Sequence, residues 1–338
     1  MILVTGGTGL VGSHLLFQLT LENENIKAIY RTDKSVEGVK RIFSYFTDDV
    51  EKLFSKIDWV QADITETPSL TKVFKDVTVV YHAAALVSFD AKDYRKMRQI
   101  NIDGTANIVN QCISNSVKKL CYVSSIAAIG NSIENKEVTE ENEWSVESSS
   151  NGYAITKYGA EMEVWRGSQE GIDVVIVNPG VILGPGFWTL NTGQFFSKVA
   201  KGFSFYTEGV TGFVGVKDVV KAMIQLTESS VKNEKFILVA QNNSFQEIFT
   251  LIANEFGKKP PSIRISKAVS NMLRRVDAVV TFITRKRRLI TKASVNSLHG
   301  KTAYSSEKIK QVIDFNFEPT AQVIKEVCAI YSKENKTG

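Results

Sequence analysis

The opening run "MILVTGGTGLVGSHL" constrains the fold more than any other stretch. A β-rich tetrapeptide, Ile2–Thr5, leads straight into Gly6, Gly9 and Gly12 and then into an apolar helical pattern. The first glycine permits a tight turn, the second lets backbone approach a pyrophosphate, and the third lets helix and strand pack closely. The helix N-terminus that follows offers free N–H groups and partial positive charge to phosphates. A glycine-rich β-to-α turn without a ligand is the alternative.

The same rhythm continues to residue 180. Strand-like runs at 26–30, 59–61, 77–81, 120–124 and 174–177 alternate with amphipathic patterns at 10–21, 36–46, 94–114 and 153–169. Such alternation predicts an α/β fold, a doubly wound parallel sheet with helices on both faces. "KFILVA" at 235–240 reads as a further strand. From Gly184 the pattern breaks into a Gly- and aromatic-rich loop, and Pro260-Pro261 is a strong stop. The expected division is a dinucleotide-binding domain over 1–180, with 213–242 returning to it. A smaller, helix-rich substrate region then comprises 181–212 and 243–338.

A chain of 338 residues is long enough to bury a full core. Cys112, Cys121 and Cys328 are scattered and odd in number, unlike a disulfide framework or metal site. No apolar run is long enough to cross a bilayer, and no basic n-region precedes the first strand. A cytoplasmic location is therefore expected. Of the net charge of +5, residues 261–300 carry +8 (nine basic residues, with Asp277 as the one acid), leaving −3 elsewhere.

Two constellations carry chemistry. "KLCYVSSIAAIG" puts Ser124 and Ser125 at the carboxyl end of a buried strand, the edge at which open α/β sheets bind ligands. "NGYAITKYGAEMEVW" places Tyr153 and Lys157 one helical turn apart on one face, where surface packing is the plain alternative. A phenol with a pKa near ~10 is a poor proton carrier at neutrality unless a nearby cation stabilises the phenolate. At the end of the second strand, "IYRTDKS" offers Arg31, with Lys34 nearby. Arginine there suits the 2′-phosphate of NADP(H), whereas Asp33 gripping a ribose would suit NAD(H).

Taken in order, T-G-x-x-G-x-x-G, the Asp63-Ile64 pair of "QADIT", the serine run ahead of Gly130 and Tyr153-x-x-x-Lys157 resemble the extended short-chain dehydrogenases/reductases (the NAD-dependent epimerase/dehydratase family) over roughly the first 240 residues. The resemblance implies a Rossmann fold and catalytic residues Ser125, Tyr153 and Lys157. It implies a phosphate turn including Gly6, Thr8, Gly9, Leu10 and Val11. Asp63 then hydrogen-bonds the adenine amino group and Ile64 packs on its ring, although Asp63 equally suits a cap for the next helix. Ala83, Ala84 and Ala85 let the cofactor pass the fourth strand end. Val123, Pro179, Gly180 and Val181 lie by the nicotinamide, and Lys157 also binds its ribose. Asn101 matches a helix asparagine that is more often structural.

Departures from the family narrow the substrate. The arginine and asparagine that sugar-nucleotide epimerases place before Gly-Pro are replaced in "VIVNPGVILGP", and no Asp-Glu follows the serine. The nearest branch resembles the dihydroflavonol reductases and 3β-hydroxysteroid dehydrogenases. Val87, Phe89, Ile126, Phe187, Trp188, Phe195 and Tyr206 are expected pocket walls, with core packing as the alternative for each. NADP(H) is favoured over NAD(H), acting on a small hydrophobic carbonyl or alcohol. An epimerase with tightly bound NAD, or a non-catalytic nicotinamide-sensing protein, are the alternatives. His14 and His82 lack partners at metal-ligand spacing, so no metal is expected. Val269, Leu273, Val276, Val280 and Ile283 suggest a covering helix with a solvated basic face. No nucleic-acid partner is expected, membrane contact is peripheral at most, and the chain is a monomer or homodimer.

Overall fold

The computed structural model describes residues 1–23, 25–132, 136–145, 151–285, 288 and 290–336. Lys286 and Arg287 of the basic stretch, and the side chain of Ile283, lie outside what it describes. Seven strands, β1 (Ile2–Thr5), β2 (Ile26–Tyr30), β3 (Ile57–Gln61), β4 (Val79–His82), β5 (Lys119–Val123), β6 (Asp173–Pro179) and a later one, form the central sheet. Between β6 and the later strand come β7 (Val181–Leu183), β8 (Phe205–Tyr206) and β9 (Val210–Gly215). The seventh sheet strand is then β10 (Glu234–Leu238), followed by β11 (Gln241–Ser244) and β12 (Ile263–Arg264).

The sheet order is β10-β6-β5-β4-β1-β2-β3, and every neighbouring pair is parallel. The order reverses between β1 and β4, which opens a crevice at their carboxyl ends. Strands covered on both faces must be apolar throughout, and Val174 to Val177 are fully buried. One face packs against helices Leu10–Glu22 and Val216–Glu228 through residues such as Leu15, Leu16, Val219 and Met223. The other packs against helices Gly104–Ser114 and Gly152–Gln169 through Ile108, Val109, Ala160 and Val164.

The expected strands are present, several beginning or ending one or two residues away from the apolar run. The pattern at 94–114 is not one regular helix. It comprises Tyr94–Met97, a π-helical segment Arg98–Asp103 and Gly104–Ser114. Of the stretch 213–242, Glu234–Leu238 joins the large sheet, while β9 and β11 pair antiparallel in a three-stranded sheet with β7. That small sheet supports a second core of Phe196, Phe213, Phe245, Ile248 and Ile324.

Helix Lys267–Thr284 departs most from expectation. It is not a covering helix: Val269, Met272, Val276, Val279 and Val280 are 42–59% exposed. Its inward side is polar instead, with Asp277 facing Arg288 at 3.7 Å and Ser270 Oγ 2.8 Å from His299 Nε2.

Candidate active site

The crevice is built first from glycines. Gly6 has φ +70, a left-handed conformation that favours glycine, and a Cβ there would lie 2.5 Å from Ala84 N and 2.6 Å from Ala83 C. A Cβ on Gly12 would lie 2.1 Å from Gly6 O. The turn after β1 is thus pressed against both the Ala83-Ala84 segment after β4 and the first turn of its own helix. Ala83 N donates to Thr5 O across the same gap, 3.1 Å. Gly9, by contrast, faces outward and is the N-cap of helix Leu10–Glu22, which has no side-chain cap and no acid in its first turn. Outward backbone at an uncapped helix start fits a pyrophosphate. Thr8, Leu10 and Val11 surround it, each partly exposed.

The other cofactor candidates lie at neighbouring strand ends. Arg31 follows β2 and is exposed, its carbonyl accepting from Gln61 Nε2 at 3.1 Å. Asp33 begins the next helix and engages the Tyr30 hydroxyl. Asp63 Oδ1 accepts from Thr65 N (2.9 Å) and Thr65 Oγ1 (2.8 Å), a local turn, but it does not cap the next helix, whose N-cap is Glu66. Ile64 is 6% exposed, with its side chain against Gly104. Ala85 is exposed beyond β4, and Val123 ends β5. Pro179 ends β6, and Gly180 N donates to Leu238 O at 3.0 Å, directing the chain to Val181.

Ser124 and Ser125 diverge. Ser124 is buried and donates to Glu161 Oε2 at 2.7 Å; Asn178 Nδ2 reaches the same oxygen at 3.0 Å. Asn178 Nδ2 also donates to Ser125 O at 3.0 Å, fixing that backbone. Ser125 Oγ accepts from Ala127 N at 3.1 Å, capping a 3₁₀ turn over Ile126–Ala128, and its side chain also engages the Tyr153 phenol. The two side chains are therefore neighbours, close enough for the serine to lower the phenol.

Tyr153 opens helix Gly152–Gln169, whose N-cap Asn151 accepts from Tyr153 N at 3.0 Å. Burial raises the phenol above its ordinary value of 10.0, while Ser125 pulls it back. Lys157 does not supply the expected depression, because its ammonium is directed elsewhere. Nζ donates to Tyr122 Oη (2.6 Å) and Val123 O (2.7 Å), 4.3 Å from the Tyr122 ring centroid. Burial lowers Lys157 to about 7, partly opposed by Glu161. Tyr122 is held well above 10.0, by burial first and then by Glu161 and Tyr153.

Asn101 sits in the π segment and joins two of these pieces. Its Oδ1 accepts from Leu86 N (2.7 Å), and its Nδ2 donates to Leu86 O and Thr156 Oγ1 (both 3.0 Å). His82, fully buried at the end of β4, has Nδ1 2.6 Å from Thr5 Oγ1 and Nε2 2.9 Å from Thr105 Oγ1.

A cavity of about 250 Å³ lies beside the start of the tyrosine helix, against Asn151 and Ala154. Ile126, Ala127, Trp144, Asn151 and Ala154 form one side; Ala293, Asn296, Ser297, Thr302 and Tyr304 form the other. Its lining is more polar than the expected aromatic wall, and Ile126 is the only expected wall residue in it. Val87 and Phe89 are 42% and 41% exposed, with the Phe89 ring 6.3 Å from that of Tyr153. Phe187 is half-buried, and Tyr206 pairs with Arg264 in a two-stranded ribbon. Trp188 is turned into the smaller core, because its indole N–H donates to Glu334 at 2.6 Å and its ring meets Tyr331. Phe195 is likewise held there, edge-on to Phe249 at 5.2 Å. For these two, core packing is the arrangement found. A larger groove, about 470 Å³, runs between helices Leu10–Glu22 and Val216–Glu228 beside His14, but includes none of these residues.

Sequence reasoning missed Tyr122, Glu161 and the cavity wall at 293–304. Glu161 lies four residues after Lys157, a readable spacing. Nothing local in 293–304 reveals where it docks.

Comparison with known proteins bears on family and fold. Residues 4–206 match the NAD-binding family described as male sterility protein. Anthocyanidin reductase of Arabidopsis thaliana is 28% identical over 280 residues, 75% of this chain and 80% of the relative. Sterol demethylase protein B of Methylococcus capsulatus is 25% identical over 269 residues, 78% and 76%. The crystal structure of gox2253 superposes with a TM-score of 0.82 at 22% identity, covering 99% of each chain. The chain belongs to this NAD-binding male sterility and epimerase/dehydratase family, the extended short-chain dehydrogenases/reductases.

Proposed function

We propose that the protein is an NADP(H)-dependent reductase/dehydrogenase of a small hydrophobic carbonyl compound or alcohol, with Ser125, Tyr153 and Lys157 at the reacting centre. The observation that carries the reading is the placing of Ser125 next to the Tyr153 phenol, one turn from a buried lysine, with Ile126, Asn151 and Ala154 beside them lining a cavity. When bound, the nicotinamide supplies or accepts the hydride. Ser125 Oγ would donate to the carbonyl oxygen and orient it, and Tyr153 Oη would pass the proton. Burial keeps that phenol protonated at neutrality, the form needed for reduction. Lys157 would reach the ribose of the bound cofactor.

Arg31 supports NADP(H), since it is exposed at the β2 end while Asp33 is engaged by Tyr30. The names of two relatives, a sterol demethylase protein and an anthocyanidin reductase, point to ring compounds with much apolar surface. Asn151, Asn296 and Ser297 would then fix a few polar substituents. A cytoplasmic setting accords with this reading.

Tyr153→Phe should lower carbonyl-dependent NADPH oxidation by roughly 10²–10⁴-fold while leaving NADPH binding intact. An unchanged rate would overturn the assignment. Arg31→Ala should weaken NADPH by about tenfold more than NADH, and equal losses would refute the cofactor preference. Stoichiometric NAD released from denatured protein that shows no net turnover would point instead to an epimerase.

A further inference from the structure

Helix Lys267–Thr284 is amphipathic in the reverse of the usual sense. A surface helix normally turns its apolar stripe to the core. Here Val269, Met272, Leu273, Val276, Val279 and Val280 recur at helical spacing along one face, and all are exposed, up to 59% at Val279. The opposite side, formed by Ser270, Asn271, Arg274, Asp277 and Thr281, is the less exposed one. Exposed Phe205 and Ile263 stand side by side on the ribbon that leads into the helix.

The charge around this stripe is predominantly positive, the one neighbouring acid of the ribbon, Glu208, being paired with Arg264 at 2.7 Å. Lys267, Arg275 and Arg285 are exposed, and the only acid within 261–300, Asp277, is turned inward against Arg288. A second copy docking through the same face would bring two +8 segments together across a two-fold axis, an arrangement that like-charge repulsion opposes. A negatively charged oily surface satisfies both features at once.

We propose that this face is a membrane-docking surface, in which the helix lies in the interface plane of an anionic bilayer. Its valines, methionine and leucine enter the headgroup–acyl boundary while the flanking lysine and arginines meet anionic lipid headgroups. The helix does not span the bilayer: among the described residues no helix is long and apolar enough to do so. The docking rests on none of the catalytic residues and stands apart from the activity proposed above.

Flotation of the full chain with vesicles tests this. Vesicles of phosphatidylcholine with about one-third phosphatidylglycerol should carry at least ~10-fold more protein than phosphatidylcholine alone, and ~0.5 M salt should reduce the difference. Val276→Asp/Val279→Asp should lose the binding, Lys267→Glu/Arg275→Glu should lose the preference for anionic lipid, and both should keep NADPH binding as the sign of an intact fold. A Val276→Trp variant gives an independent reading, since its fluorescence should shift blue on adding anionic vesicles. Absence of vesicle binding by the unmodified chain overturns the proposal. So does equal binding to both vesicle types, or a dimer in sedimentation velocity that Val276→Asp/Val279→Asp converts to monomer without any vesicle binding.

Discussion

Lys157 and Tyr153 are one turn apart, yet the lysine serves another phenol. Nζ sits 2.6 Å from Tyr122 Oη, and its pKa falls to about 7, so its charge is full only on the acid side of neutrality. Tyr153 is raised by burial. Alcohol oxidation needs the phenolate, and its rate should climb by nearly tenfold per unit between about pH 6 and 9, whereas carbonyl reduction should not climb. Initial rates in both directions check this, and a flat oxidation profile would contradict it. At this scale the glycines and the Ser, Tyr and Lys candidates were legible, because close backbone approach and strand-end position leave marks in local sequence. The partner of Lys157 was not, since Tyr122 faces the helix from strand β5, 35 residues earlier in the chain. Trp188 was misplaced for a similar reason: an indole in a loop does not reveal that a carboxylate 146 residues away will capture its N–H.

Among the elements, the stretch from Tyr94 to Ser114 shows how tertiary contacts alter a regular pattern. Its apolar spacing reads as continuous helix, but the chain widens to π geometry over Arg98–Asp103, where Asn101 reaches out to Leu86 and Thr156. Single-turn π segments commonly mark such sites. Asn101→Ala removes three hydrogen bonds that tie the segment after β4 to the tyrosine helix. It should cost about 1–3 kcal/mol of stability, measured by urea denaturation, and lower turnover more than cofactor affinity. Full activity with unchanged stability would show the asparagine to be dispensable. Helix Lys267–Thr284 carries the complementary lesson. Periodicity identified the apolar stripe correctly, but a stripe does not state which way it faces.

For the whole molecule, buried histidines make stability depend on pH. Burial lowers His14 to about 4 and His82 to about 3, His82 being pushed down further by Lys157. Both stay neutral in the fold while an unfolded chain binds protons near 6.5. Between those values the unfolded state holds more protons, so the two contributions are present above pH 6.5 and are lost as pH falls through 4. They are on the order of 3 kcal/mol for His14 and 5 kcal/mol for His82. Asp218, raised to about 6 by burial, works in the opposite direction over the same range, as does the raised Glu140. The net effect should be a falling melting temperature between pH 6.5 and 4, smaller than the histidines alone would give. His82→Gln should flatten the curve, and an unchanged pH profile would assign the loss to other groups. The doubly wound parallel sheet was readable from alternation and the first turn, whereas its strand order came from the structure. A smaller helix-rich region was expected from the break in rhythm after Gly184, but not its core, which joins β7, β9 and three separated helices that share no local pattern.

Helix Lys292–His299 has two neighbours. With Ala293, Asn296 and Ser297 it closes the cavity beside the start of the tyrosine helix, and through His299 it holds Ser270 of the helix whose oily side looks outward. That cavity and the outward apolar stripe are therefore joined through one intervening helix.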